Sequence, residues 1–454
     1  MPVAHSPDTP GPQNRGTMPV ARTEYFGGTR VAALALVSTC AWLTVTLLPY
    51  EVSTLSLSYH VGPAGAGWIT AAELLALACS ASYVGQAIAF RDKRRLTLLG
   101  LAIALAATVG CLRTDHLVPI VALRLLFGVG TGIIAAATNA LPALHHAPKR
   151  LFAYMQLALG VVFGLAILAV GAVQSFAGRN AVFVVELLFL LALGPAALLL
   201  PKGVVSHHPS SSVPTSLRLP EGVPSSLAAL GLMWVSQGAL WAFAAQAGAE
   251  SGMDPNSLVR WLSIAGFTAP FGAVAAAALG ERRGYSAPLV LGFGAQIFVA
   301  LAMYCSFSRS VYIAGALVFN MTTTFTTPYL QGMLASFDGT GRATALSGAA
   351  ANFGAAAGPA LAATLVAQSV APIGFTSAIL LSISLGLGLY SLRTLAASSH
   401  SRSGVFTVGD HAPMLEHVRS HESCMTPEMQ KIIGHVGSDG AEPCSRDGRK
   451  PSQM

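Results

Sequence analysis

The chain has 454 residues, 53% of them hydrophobic and only 10% charged, where ordinary soluble domains carry roughly 25% charged residues. That leaves too little polar material to cover a soluble fold, and it suits a polytopic membrane protein whose surface faces lipid. The formal charge of +7 does not indicate nucleic-acid binding, because the basic residues sit in short loops and tails, where membrane topology explains them.

In chain order, residues 1–30 are polar and rich in Pro and Gly. They read as a disordered tail without a signal-peptide pattern. Six apolar stretches long enough to cross a bilayer follow, at about residues 31 into the 50s, 64–90, 96–112, 120–141, 151–174 and 180–200. Residues 201–224, rich in Ser, Pro and His, form a linker by composition. Six more stretches lie at about 225–247, 257–280, 287–307, 311–337, 343–368 and 372–397, and a polar tail closes the chain. The expected organisation is a tail (1–30), six spans (31–201), a cytoplasmic linker (202–224), six spans (225–397) and a disordered tail (398–454). Arg91, Lys93, Arg94, Arg95, Lys149, Arg150, Arg282 and Arg283 fall in loops on one side, and only Arg113, Arg179, Arg260 and Arg309 on the other. This asymmetry predicts cytoplasmic N- and C-termini in a plasma or inner membrane. Cys40, Cys79, Cys111 and Cys305 lie in spans, and Cys424 and Cys444 in the tail, so there is no disulfide framework.

The fourth span carries Arg124 well inside an apolar run. An arginine there costs about 2.5–3.5 kcal/mol on insertion scales, so it faces protein or an aqueous cavity. Gly128, Gly130 and Gly132 follow and permit close approach of a neighbouring helix. Three acids also lie within spans: Glu51, Glu73 and Glu186. At 1.5 Å per residue, Glu51 and Glu73 lie about 12 Å, and Arg124 about 9 Å, below the outer helix ends. These similar depths predict a partner-switching set in which one glutamate pairs with Arg124 and the other takes up a proton. The alternative is a static Arg124–Glu pair with the second glutamate reaching the headgroups. Glu186, near the start of its span, is placed third, close to the outer surface.

The second half offers polar and aromatic residues instead: Trp234, Gln237, Trp241, Gln246, Asn320, the 322–327 Thr-rich run, Tyr329 and Asn352. Gln237 and Trp241 are four apart and share a helix face. An aromatic-plus-amide face suits a partly apolar ligand, and Asn139 in the fourth span is similar; plain helix packing is the alternative. Gly160–Gly164 and Gly354–Gly358 are small-xxx-small patterns for helix contact. His417 and His421 in the tail have helical metal-ligand spacing, but incidental histidines in a disordered tail are the expectation. No nucleotide-binding loop or nucleophile–base pair is evident, so neither an enzyme nor an ATP-driven pump is expected, and no cofactor or metal.

Six spans, a linker and six spans, with Arg124-Leu-Leu-Phe-Gly128-Val-Gly130 in the fourth and Gly280-Glu281-Arg282-Arg283-Gly284 after the eighth, resemble the major facilitator superfamily of secondary transporters. The matching loop of the first half, Arg91 to Arg95 after Gly85, is similar, but Ala89 stands where that family has an acid. The fifth span lacks the Gly-Pro doublet of the family's drug-antiporter signature. The resemblance implies an all-α membrane protein with twelve transmembrane helices in two pseudo-symmetric six-helix bundles. The substrate site would lie near the midplane between them. It also implies a gate latch of Glu281 and Arg282 with the start of the eleventh helix at Arg342. The expected function is alternating-access transport of a small organic solute across the bilayer by a monomer, coupled to protons. Uptake of an organic anion, its carboxylate received by Arg124, is favoured. Candidate cavity residues are Arg124, Asn139, Gln237, Trp241, Asn320 and Asn352. Efflux of amphipathic drug-like compounds is the alternative, and a non-transporting sensor or scaffold is the alternative of another class.

Overall fold

The computed structural model describes residues 27–88, 91–142, 148–201, 220–280, 284–306, 308–337, 342–367 and 369–403. The greater part of the expected N-terminal tail, linker and C-terminal tail, with Glu281, Arg282, His417 and His421, lies outside these residues. Helices and turns make up the whole of the described chain, with no strand among the described residues. In the first half the helices are α1 Gly28–Cys40, α2 Leu43–Ser58, α3 Gly62–Ala87, α4 Lys93–Cys111, α5 Leu117–Ala140, α6 Pro148–Ala177 and α7 Ala181–Leu193. In the second they are α8 Val223–Ala242, α9 Ala244–Glu250, α10 Pro255–Leu279, α11 Ser286–Cys305, α12 Arg309–Phe337, α13 Arg342–Leu365 and α14 Ala371–Ser403. The first helix thus starts inside the stretch read as a tail, and α14 runs past the expected end of the last span. The chain divides into compact units at Leu395, and the second unit is described only for the end of α14.

Nine stretches among the described residues are long and apolar enough to cross a membrane. One, Leu151–Leu199, contains both α6 and α7. Helices α12 and α13 have the length but not the hydropathy, because the threonine run dilutes the first and Asn352, Pro359 and the glycines the second.

Two spans are broken in mid-course without a proline or glycine at the break. Between α1 and α2, Trp42 sits at φ −107° and ψ 5°. The chain tightens there through Ala41 N–H to Ser38 O (3.2 Å) and Trp42 N–H to Thr39 O (3.0 Å). The Ser38 and Thr39 hydroxyls donate to Ala35 O and Leu36 O, which loosens the ladder just before the break. Between α8 and α9, Phe243 adopts nearly the same conformation, φ −107° and ψ 13°. Carbonyls freed inside a membrane protein must find donors. Here the buried Tyr304 donates to Leu240 O, and Tyr312 adds a second donor, at 2.7 Å, to Ala244 O at the start of α9. Replacing Tyr312 by Phe is expected to lower stability by about 0.5–1.5 kcal/mol, the net worth of one buried hydrogen bond, read as a lower unfolding temperature of the detergent-solubilised protein.

Helices α1–α7 pack mainly on one another, as do α8–α14, and two antiparallel seams, α3 with α13 and α6 with α10, join the sets. In the second seam the ring of Phe267 lies on Gly164 and that of Phe163 on Gly266, and Ser263 donates to Gly164 O at 2.7 Å. In the first, a Cβ on Gly67 would meet Ala363, Phe243 and the Pro359 carbonyl within 3.1 Å. These approaches run from mid-span to the end of the molecule that carries the α2–α3 turn at His60, so the two sets are closed against each other at that end.

Candidate functional site

Arg124 lies on the second turn of α5 and exposes none of its side chain. Three glutamates from three other helices surround it, all with side chains fully removed from solvent: Glu51 of α2, Glu73 of α3 and Glu186 of α7. Arg124 Nε donates to Glu51 Oε1 (2.9 Å) and Glu73 Oε2 (2.7 Å). Nη2 donates to Glu51 Oε2 (2.8 Å), Glu73 Oε1 (2.7 Å) and Glu186 Oε1 (3.0 Å), and Nη1 to Glu186 Oε2 (2.8 Å). All six carboxylate oxygens therefore converge on one guanidinium with five N–H groups. Thr44 of α2 adds one donor, to Glu73 Oε1 at 2.9 Å. The rings of Phe127 and Phe183 lie 4.5 and 5.5 Å from the guanidinium carbon and close the cluster with apolar surface.

The glycines after Arg124 explain how α5 is seated. A Cβ on Gly128 would run into the Glu73 carbonyl, and one on Gly132 into Ser80 and the Leu77 carbonyl, so these two face α3. Gly130 faces α4, where a Cβ would stand 2.8 Å from Gly100 O and from Ala104 N. The alternation lets α5 lie against both neighbours with backbones almost touching, and it carries Glu73 within reach of Arg124.

The structure brings Glu51, Glu73 and Arg124 together and adds Glu186, which is not at the surface but bound to Arg124. In this conformation its own three glutamates occupy Arg124, the expected receiver of a substrate carboxylate, and leave it no exposed surface. In the second half, Gln237 Nε2 donates to Gln296 Oε1 (2.9 Å), Gln296 Nε2 to Thr326 Oγ1 (2.8 Å), and Thr323 Oγ1 to Gln237 Oε1 (2.8 Å). Gln296 carries no sequence signal beyond being polar in an apolar span. Asn320 Nδ2 donates to Ala265 O (3.2 Å) on α10. In this conformation Gln237 and Asn320 both bond across helix–helix contacts of the second half. Trp241, 4% exposed, donates from its indole to Val45 O of α2 at 2.8 Å and packs between Phe163 and Phe319, centroids at 5.1 and 5.7 Å. It links the two halves. Asn352 is half-buried and Asn139 exposed near the end of α5. Arg342 begins α13, and its expected latch partners Glu281 and Arg282 lie outside the described residues. Two cavities, of about 610 Å³ beside Thr29, Arg30 and Arg94 and about 410 Å³ along the α3–α13 seam at Trp68, Ala71 and Ala357, lie away from the cluster. Among the described residues, no group of His, Cys, Asp and Glu is arranged to hold a metal ion.

The model of the Major Facilitator Superfamily matches residues 34–339, about two-thirds of the chain. No curated protein matches in sequence. Among solved structures, the nucleoside transporter NupG is similar at 11% identity with a TM-score of 0.61, covering 80% of this chain and 98% of its own. The human organic anion transporter MFSD10 is similar at 16% identity with a TM-score of 0.58, covering 79% and 98%. A bacterial homologue of the human lysosomal transporter Spinster, in an inward-facing and unoccupied conformation, is similar at 14% identity with a TM-score of 0.59, covering 82% and 98%. At these identities the likeness is one of fold. With two-thirds of its length matched by the family model and the helical architecture of these transporters, the chain belongs to the major facilitator superfamily.

Proposed function

We propose that the protein is a proton-coupled secondary transporter of a small organic solute, with Arg124, Glu51, Glu73 and Glu186 as the coupling site. One observation carries this reading. Three carboxylates against one guanidinium would leave a formal charge of −2 in a site with no exposed surface. A buried net charge without compensation is very costly, and a bound proton is the direct way to reduce it. Binding or releasing that proton changes which carboxylate holds the guanidinium, and so how α2, α3, α5 and α7 are tied together. With both termini cytoplasmic, the closed His60 end faces outward. The solute is recognised by neutral and aromatic groups rather than by Arg124. Among the described residues, Tyr50 Oη and Trp234 Nε1 are buried polar atoms without a partner, two hydrogen-bonding groups that a partly apolar solute could use.

The test is uptake of labelled organic solutes, acids and amphipathic compounds included, into proteoliposomes with and without an imposed proton gradient. The expected outcome is gradient-driven accumulation of a solute that falls at least 100-fold in Glu51→Gln and Glu73→Gln, while exchange without a gradient persists. Unchanged accumulation in both variants would remove the coupling role and leave transport standing. Absence of any transported solute would favour a sensor or scaffold.

A further inference from the structure

We infer that the coupling proton is carried by Glu51, and that Thr44 is the positioning residue that puts it there; this rests on the coupling reading above. Glu51 and Glu73 are both doubly bonded to the same Nε–Nη2 edge of Arg124, and Glu186 alone takes the Nη1–Nη2 edge. One edge of a planar guanidinium matches one carboxylate. Nε has a single hydrogen, yet it serves Glu51 Oε1 and Glu73 Oε2 together. Two carboxylates crowded on one edge need a hydrogen between them. The excess proton therefore belongs to the Glu51–Glu73 pair and not to Glu186.

Within the pair the donors are unequal. Glu73 accepts at 2.7 Å from both Nε and Nη2, and additionally from the fully buried Thr44 hydroxyl. Glu51 accepts at 2.9 and 2.8 Å and has no hydroxyl donor. Hydrogen bonds to the charged form favour it, so Glu73 remains the anion and Glu51 holds the proton. Cys111 at the end of α4 also lies beside the cluster, and a neutral thiol there does not alter the assignment. The arrangement gives the proton a mechanical consequence. Glu51 lies on α2, the helix whose Val45 carbonyl holds Trp241 of the other half. Loss of the Glu51 proton acts on the same helix that closes the two halves together.

Infrared difference spectroscopy of the full chain reconstituted in lipid tests this, because a protonated glutamate has a C=O stretch that an ionised one lacks. The expected result is one buried protonated-carboxyl band at neutral pH. That band moves in Glu51→Asp and stays in place in Glu73→Asp and Glu186→Asp. It also leaves its position in Thr44→Val, where Glu73 loses its extra donor, and returns in Thr44→Ser. Should an Asp variant not fold, the Thr44→Val and Thr44→Ser pair decides alone. A band that follows Glu73 or Glu186, or one that Thr44→Val leaves unmoved, overturns the assignment to Glu51 while the coupling reading survives. Absence of any protonated-carboxyl band in the parent protein overturns both.

Discussion

Arg124→Gln is expected to abolish gradient-driven transport and to destabilise the protein by about 3–5 kcal/mol, the range for removing one partner of a buried ion pair. Six hydrogen bonds end on this one side chain. Its loss leaves three carboxyls facing each other in a space sealed by Phe127 and Phe183. Arg124→Lys is expected to recover little of either property, because an ammonium is a point charge and does not offer two donor edges. Thermal unfolding in detergent and uptake in proteoliposomes measure the two effects separately. A lysine variant as stable and active as the parent would show that only the charge matters, and that the fork geometry does not. Adding Glu51→Gln and Glu186→Gln to Arg124→Gln removes charge on both sides. Stability is expected to recover in that triple variant while coupling stays absent, which separates the structural from the functional part of the cluster.

The second large effect is at Gly128. An alanine there puts a methyl group into the backbone carbonyl of Glu73, and neither helix can yield without moving the Arg124 cluster. Overpacking costs about 1–3 kcal/mol, and the displacement of α3 also pulls Glu73 from Arg124. Gly128→Ala is therefore expected to lower both the unfolding temperature and the coupled uptake. Gly294 in α11 has open space where its Cβ would go, and Gly294→Ala is expected to raise stability by about 0.5–1 kcal/mol through helix propensity. Equal behaviour of the two variants would mean that the α3–α5 approach is not tight.

The Arg124–glutamate cluster was visible in the sequence because a charge in an apolar span has few alternatives: it needs partners, and helix rise fixes their depth. Glu186 was underrated for a local reason. It lies six residues after Asn180, which reads as near the surface, but α7 leans on α4 and α2 so that its first turns are already inside the bundle. Gln237 and Trp241 do share a face, yet Gln237 reaches Gln296 and Thr323 within its own half and Trp241 reaches α2. Spacing along a helix says which residues are neighbours, not which helix they meet. The break at Trp42 left no mark, since neither Pro nor Gly sits there and Pro49 lies inside the unbroken α2. The seams were only half legible. Gly160 and Gly164 announce close contact, but their partners Pro270 and Phe267 follow no small-residue pattern.

The seam between α6 and α10 is self-complementary: Phe163-Gly164 on one helix meets Gly266-Phe267 on the other, each ring filling the notch opposite. Its two sides are far apart in the chain, with Ser263 bonding Gly164 across 99 residues. During synthesis the notch at Gly164 faces lipid from the moment α6 enters the membrane and is filled only after α10 has followed. The first seven helices alone cannot reach their final surface, so assembly of the halves completes folding rather than joining two finished pieces. Expressed as separate polypeptides split between α7 and α8, the two parts carry matching halves of one fastener, and the ring-and-notch register sets how they find each other.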